Sequence, residues 1–282
     1  MAAAMRCYRH PDRETYLSCS ECGRPICAEC MTPAPVGQRC PDHSGKAQGV
    51  ARVRTVPRNL GTLSTPGLVT RTLIGVNVGV YLLELATGGN INGIGSTIFE
   101  KGALFGPLVA QGDWWRLITT AFLHYGPVHL AFNMLFLYWV GTPVEEYLGR
   151  GRFLLVYLVS GLAGSAGALV FAPNAVTVGA SSSIFGILGA ALVLERQRSY
   201  VLGGSAMGLI VINLALSFVL SNISLGGHVG GLIGGAACMF ALSRFGRGHG
   251  AYGRLGATEY VAVIAVAALS VAIAYWKVRG YA

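Results

Sequence analysis

Two groups of side chains in this 282-residue chain have types and spacings that can do chemistry. The first is polar within apolar surroundings. It comprises His124-Tyr-Gly-Pro-Val-His129-Leu-Ala-Phe-Asn133, then Gly179-Ala180-Ser181-Ser182-Ser183-Ile-Phe185-Gly186, then Gly227-His228-Val-Gly230-Gly231. A serine hydroxyl beside an imidazole becomes a nucleophile when the ring takes its proton as the oxygen attacks a carbonyl carbon. The negative charge that develops on the carbonyl oxygen then needs N–H donors. His129 and Asn133, at i and i+4 on one helical face, would supply them, together with backbone N–H groups at a helix N-terminus near Ser181. Acyl transfer by a Ser–His pair is the chemistry this set suits.

The second group lies at the start of the chain. Cys7-x2-His10, Cys19-x2-Cys22, Cys27-x2-Cys30 and Cys40-x2-His43 give eight metal ligands within 37 residues. That pattern is a strong zinc signal, and two closed tetrahedral sites would use all eight. The spacing favours an interleaved scheme, with Cys7, His10, Cys27 and Cys30 on one ion and Cys19, Cys22, Cys40 and His43 on the other. A disulfide framework conflicts with the two histidines and with a cytosolic location. So small a unit cannot fold on its apolar core alone, and metal would supply the missing stability. Its arginines permit contact with nucleic acid, yet only Tyr8 and Tyr16 could stack on bases, so nucleic acid is not an expected partner.

These side chains must be carried by helices in a membrane. Hydrophobic residues make up 53% of the chain and charged ones only 12%, which argues against a single soluble domain. Residues 1–58 hold 14 of the 33 charged side chains. Apolar stretches follow near residues 70–88, 127–146, 152–171, 181–195, 201–221, 228–244 and 258–276, most of them near the ~20 residues that a spanning helix needs. Seven spans are expected, the fourth and sixth being short, Gly-rich and suited to burial among the others. Asp113-Trp114-Trp115-Arg116, between spans one and two, suits an interfacial loop.

Arginines precede span one (Arg52, Arg54, Arg58, Arg71), separate spans two and three (Arg150, Arg152), and follow spans four (Arg196, Arg198) and six (Arg244, Arg247, Arg254). With the positive side inside, the N-terminus is cytosolic, in keeping with an opening that lacks a signal peptide. Lys277 and Arg279 oppose the rule. Spans two, four and six then bring the first group of side chains together at the outer side. Packing is the rival reading for Ser181 and the glycines, since small residues at four-residue spacing let helices approach. His228 is harder to explain that way. Other intramembrane hydrolases are excluded by absence: beyond residue 58 the only aspartate is Asp113, and no histidine of the three segments is followed by glutamate in a His-Glu-x-x-His motif.

In this order the motifs resemble the rhomboid family of intramembrane serine proteases over about residues 68–245. Those motifs are Trp115-Arg116, His124…His129…Asn133, Val144-Glu145…Leu148-Gly149, Gly179-Ala180-Ser181 with Gly189, and Gly227-His228 with Gly231 and Gly235. The resemblance implies an all-α polytopic fold of six core helices plus one C-terminal transmembrane helix. Ser181 would be the nucleophile, His228 the base, and His129, Asn133 and the Ser181 amide the oxyanion site. Substrates would be transmembrane proteins cleaved near their outer ends, with no cofactor for catalysis. Two positions depart from the family pattern: Ser182 replaces the usual glycine after the nucleophile, and Phe185 replaces a frequent tyrosine.

Residues 7–43 resemble the B-box zinc-finger class, which implies a cytosolic protein partner. The expected organisation is a zinc module over 1–45, a basic linker over 46–66, the protease-like core over 67–250 and a seventh helix over 251–282, in the plasma membrane. The rivals are a catalytically silent membrane protein that binds client helices and a membrane-tethered ubiquitin-type adaptor built on the zinc module.

Overall fold

The structure is a computed structural model and describes residues 5–34, 37–44, 65–219, 223–243 and 255–281. The expected linker lies outside the described residues up to position 64, as do Arg244, Arg247 and Arg254. The chain divides into two compact units, Met1–Leu63 and Ser64–Ala282.

The first unit has almost no apolar core to fold around. Two short antiparallel ribbons, β1 (Met5–Arg6) with β2 (Glu14–Thr15) and β3 (Thr32–Pro33) with β4 (Gln38–Arg39), frame tight turns at the Cys-x2-Cys/His pairs. In three of these pairs the N–H of the second ligand donates to the C=O of the first: His10 to Cys7, Cys30 to Cys27 and His43 to Cys40. Among its described residues, Ile26 and five cysteines form the buried apolar cluster.

The second unit is helical, because its apolar runs lack any polar face on which a soluble layer could end. Its elements are α1 (Leu68–Ala86), the short helices α2 (Thr97–Gly102), α3 (Gly106–Ala110) and α4 (Arg116–Thr119), α5 (Gly126–Phe136), α6 (Thr142–Leu148), α7 (Arg150–Phe171), α8 (Ser181–Arg196), α9 (Ala206–Val219), α10 (Leu225–Leu242) and α11 (Ala257–Val278). Among the described residues, four helices are long and apolar enough to cross a membrane: α1, α7, α10 and α11. Helices also occupy the other three expected stretches. The second is an unbroken helical run with a π turn over Leu137–Gly141, between α5 and α6. Such a chain is a multi-pass membrane protein, and the outward side chains agree. Phe132, Leu135, Phe218, Ile264 and Leu269 are all exposed, as a lipid-facing surface requires and an aqueous one does not.

α8 is the wrapped helix that its composition foretold, buried from Ser183 to Ala191. Glycines let its neighbours reach it. A Cβ on Gly231 would strike the Ser182 carbonyl, one on Gly235 the Gly186 backbone, and one on Gly189 the Leu232 carbonyl, so α8 and α10 run backbone against backbone. On its other side α10 meets α7 in the same way, through Gly226 and Gly230 against Gly167 and Ala163.

Two further ties hold the frame. Glu145 of α6, buried, accepts from the Val69 N–H (2.9 Å), the Thr70 N–H (2.7 Å) and the Thr70 hydroxyl (2.8 Å). It thereby caps α1, whose own N-cap residue is Gly67 and makes no side-chain cap. Arg116, in the loop expected at the membrane interface, is buried within the protein. It pairs with Asp113 at 2.9 Å and donates to the carbonyls of Glu100 and Ala103, folding the loop between α1 and α5 upon itself.

Candidate active site

Ser181 is the first residue of α8 and His228 lies in the first turn of α10. Because the glycine seam sets the two helices in contact, the side chains meet: Ser181 Oγ is 2.9 Å from His228 Nε2. α10 starts where it does because Ser224 accepts from the Gly227 N–H, a side-chain cap at 3.1 Å. Phe185, one turn after Ser181, stacks on the His228 ring with centroids 4.1 Å apart and planes 19° from parallel.

The three consecutive serines point to different neighbours. Ser181 reaches His228. Ser182 faces the positions where Gly164 and Gly227 have no Cβ. Ser183 is fully buried beside Gly161.

The turn into α8 is shaped by Gly179, whose φ of +127° is closed to ordinary side chains. A Cβ there would also sit 2.8 Å from His129 Cε1, 3.0 Å from His129 Nε2 and 3.8 Å from Ser181 Oγ. The missing side chain therefore lets the His129 ring edge in beside the serine. Nδ1 of that ring accepts from the Tyr125 N–H at 3.2 Å, so in the neutral ring the hydrogen is on Nε2, on the side facing Gly179. Asn133 is buried on α5, and its Nδ2 donates to the His129 carbonyl at 2.9 Å, which leaves one amide hydrogen free. The first loop helps set this turn: Leu104 and Thr177 exchange backbone hydrogen bonds, and the Gly179 N–H donates to the Thr120 carbonyl. His124 is wholly buried next to His129, ring centroids 5.2 Å apart.

A residue absent from the sequence reading joins this group. Ser217, buried on α9, has its Oγ 2.7 Å from His228 Nδ1. The available signal was a serine in an apolar helix shortly before His228.

In the first unit the eight ligands fall into two sets, Cys7/His10/Cys27/Cys30 and Cys19/Cys22/Cys40/His43, the donor atoms within each lying inside 4.8 Å of one another. This is the interleaved scheme. His10 Nδ1 lies 3.3 Å from Cys30 Sγ and 3.4 Å from Cys27 Sγ, and His43 Nδ1 lies 3.2 Å from Cys40 Sγ. Ligands around a tetrahedral zinc ion sit about 3.4–3.8 Å apart, so both donor sets fit a bound metal. The electrostatics ask for a cation as well. Burial works against the Cys7 thiolate, but the backbone N–H groups around it bring that thiol down to about 6, whereas burial and the Cys27 and Cys7 sulfurs push Cys30 up to about 11. Four thiolate and imidazole donors so close together need positive charge between them.

Residues 111–245 match the family model of the rhomboid domain. Over 201 residues the chain is 42% identical to the rhomboid protease GluP of Bacillus subtilis, covering 70% of this chain and 38% of that relative. It is 42% identical to YdcA of the same organism over 137 residues, covering 47% of this chain and 69% of YdcA. It is also 37% identical to RHOMBOID-like protein 7 of Arabidopsis thaliana over 154 residues, covering 52% of this chain and 49% of that relative. With its helices, its glycine contacts and a relative of this identity matched over two thirds of its length, the chain belongs to the rhomboid family.

Proposed function

We propose that this protein is an intramembrane serine endopeptidase that cleaves transmembrane proteins near the outer ends of their helices. The observation that carries the reading is the 2.9 Å contact between Ser181 Oγ and His228 Nε2, made between two helices inside a membrane protein. Ser181 Oγ attacks the scissile carbonyl carbon as its proton passes to Nε2. The oxyanion is met by the Ser181 N–H at the start of α8, by His129 Nε2–H and by the free amide hydrogen of Asn133. Collapse of the intermediate expels the amine, which takes the proton from Nε2, and leaves an ester on Ser181. Water attacks that ester, giving its proton to Nε2, and the returning proton frees the carboxylic acid and the hydroxyl. A client-binding protein without catalysis has no use for the serine–imidazole contact.

In this reading residues 1–45 form a zinc module whose two donor sets hold structural zinc, and residues 46–66 link it to a core over 67–250 with an added helix over 251–282. The module faces the cytosol and binds a protein partner there. The arginine pattern supports that orientation, with the enzyme in the plasma membrane and its site open to the outside.

The test is labelling of the solubilised protein with a fluorophosphonate. Label should be lost in Ser181→Ala and His228→Ala and kept in Ser182→Ala. Label retained in the first variant would remove the nucleophile and with it the peptidase reading.

A further inference from the structure

Ser217 Oγ makes two contacts, one with His228 Nδ1 at 2.7 Å and one with the Asn213 carbonyl oxygen at 2.8 Å, a turn earlier on α9. A hydroxyl has one hydrogen, and a carbonyl oxygen can only accept. The Ser217 hydrogen therefore goes to Asn213, and the lone pair of Oγ is what the ring meets. His228 must supply the other hydrogen, so Nδ1–H donates to Ser217. A neutral imidazole protonated at Nδ1 has its lone pair on Nε2, the atom that faces Ser181 Oγ.

We propose that Ser217 is the positioning residue of His228, holding the ring in the tautomer and the flip that make it a base toward Ser181. Stacking on Phe185 cannot do this alone, because it fixes the plane of the ring and leaves both flips equally stacked. Only a polar partner at Nδ1 separates them. Other side chains of these helices bond the carbonyl four residues back with no second partner at a ring: Ser160 on Val156, Asn213 on Leu209 and Ser270 on Val266. Ser217 differs by its second contact. When the Ser181 proton reaches Nε2, the ring is cationic, and the bond from Nδ1–H to Ser217 becomes charge-assisted. The contact thus strengthens toward the transition state and acts on kcat. With a neutral hydroxyl as acceptor, its effect is smaller than a carboxylate's.

The inference rests on the peptidase reading, and the experiment separates the two. Full-length wild type, Ser217→Ala, Ser217→Thr and Ser181→Ala are assayed with a fluorogenic transmembrane-helix substrate and with a fluorophosphonate, alongside thermal stability. His129, the titratable neighbour of the ring, and Ser181 are intact in both Ser217 variants. Ser217→Ala should lower kcat and the labelling rate about tenfold at unchanged KM. It should also move the acid limb of the kcat profile to lower pH, since the imidazolium loses its acceptor. Ser217→Thr, which keeps the hydroxyl, should restore both. Wild-type kcat and pH profile in Ser217→Ala, with or without a change in melting temperature, would reduce Ser217 to packing, as would failure of Ser217→Thr to restore them. Persistent labelling of Ser181→Ala would overturn the peptidase reading itself, whatever Ser217 does.

Discussion

At the scale of the residue, the site needs its two histidines in opposite tautomers, and each is set by one local partner. The Tyr125 N–H occupies His129 Nδ1 and leaves Nε2 as a donor; Ser217 occupies His228 Nδ1 and leaves Nε2 as an acceptor. The proposed oxyanion donors are therefore unequal. His129→Ala should lower kcat about 10²-fold, the loss expected for one donor in such a hole. Asn133→Ala should cost less, because half of its amide already bonds its own helix. Equal losses in the two variants, read from kcat on a transmembrane substrate, would contradict this ranking. The meeting of Ser181 with His228 and His129 and the grouping of the eight Cys/His donors were legible in the sequence, because charged or polar groups in lipid, and Cys/His pairs at x2 spacing, have few uses. Ser217 was not, because serines that bond their own helix are common in apolar spans and only the fold shows which of them touches a ring.

At the scale of the element, what brings Ser181 to His228 is the absence of side chains between α8 and α10. Gly235→Ala would place a methyl group against the backbone of Gly186, where no rotamer can give way. The expected cost is about 1–3 kcal/mol of overpacking, seen as a lower melting temperature together with weaker fluorophosphonate labelling. A variant as stable and as reactive as the parent would mean that the seam is slacker than described. Helix positions followed from apolar run length, and the burial of α8 and α10 from their glycines. The π turn at Leu137–Gly141 and the Glu145 cap on α1 could not be read that way. The first leaves the apolar pattern unchanged, and the second joins residues 75 positions apart. The partners of Arg116 were hidden for a related reason: the carbonyls of Glu100 and Ala103 that draw the guanidinium inward are presented only by the folded loop.

At the scale of the whole molecule, the two units have different sources of stability. Metal analysis of the full chain should find about two zinc ions, and a strong chelator should make residues 5–44 sensitive to protease while Ser181 still labels. Loss of labelling on chelation would show that the metal sites support the helical unit as well. Acid should act in the same direction. Thiolates and neutral imidazoles bind metal only when deprotonated, so metal and the stability it confers should be lost together as pH falls.

The helical unit has a different tolerance. Its outer helices α1 and α11 are wetted by lipid, and bilayer thickness can tilt them. The serine and the imidazole, by contrast, are spaced by main chain lying directly on main chain, with nothing compressible in the gap. Under the proposed function, membrane composition should therefore act on the entry of a client helix and leave the nucleophile's intrinsic reactivity untouched. A small soluble inhibitor and a long hydrophobic substrate would report different properties of one enzyme.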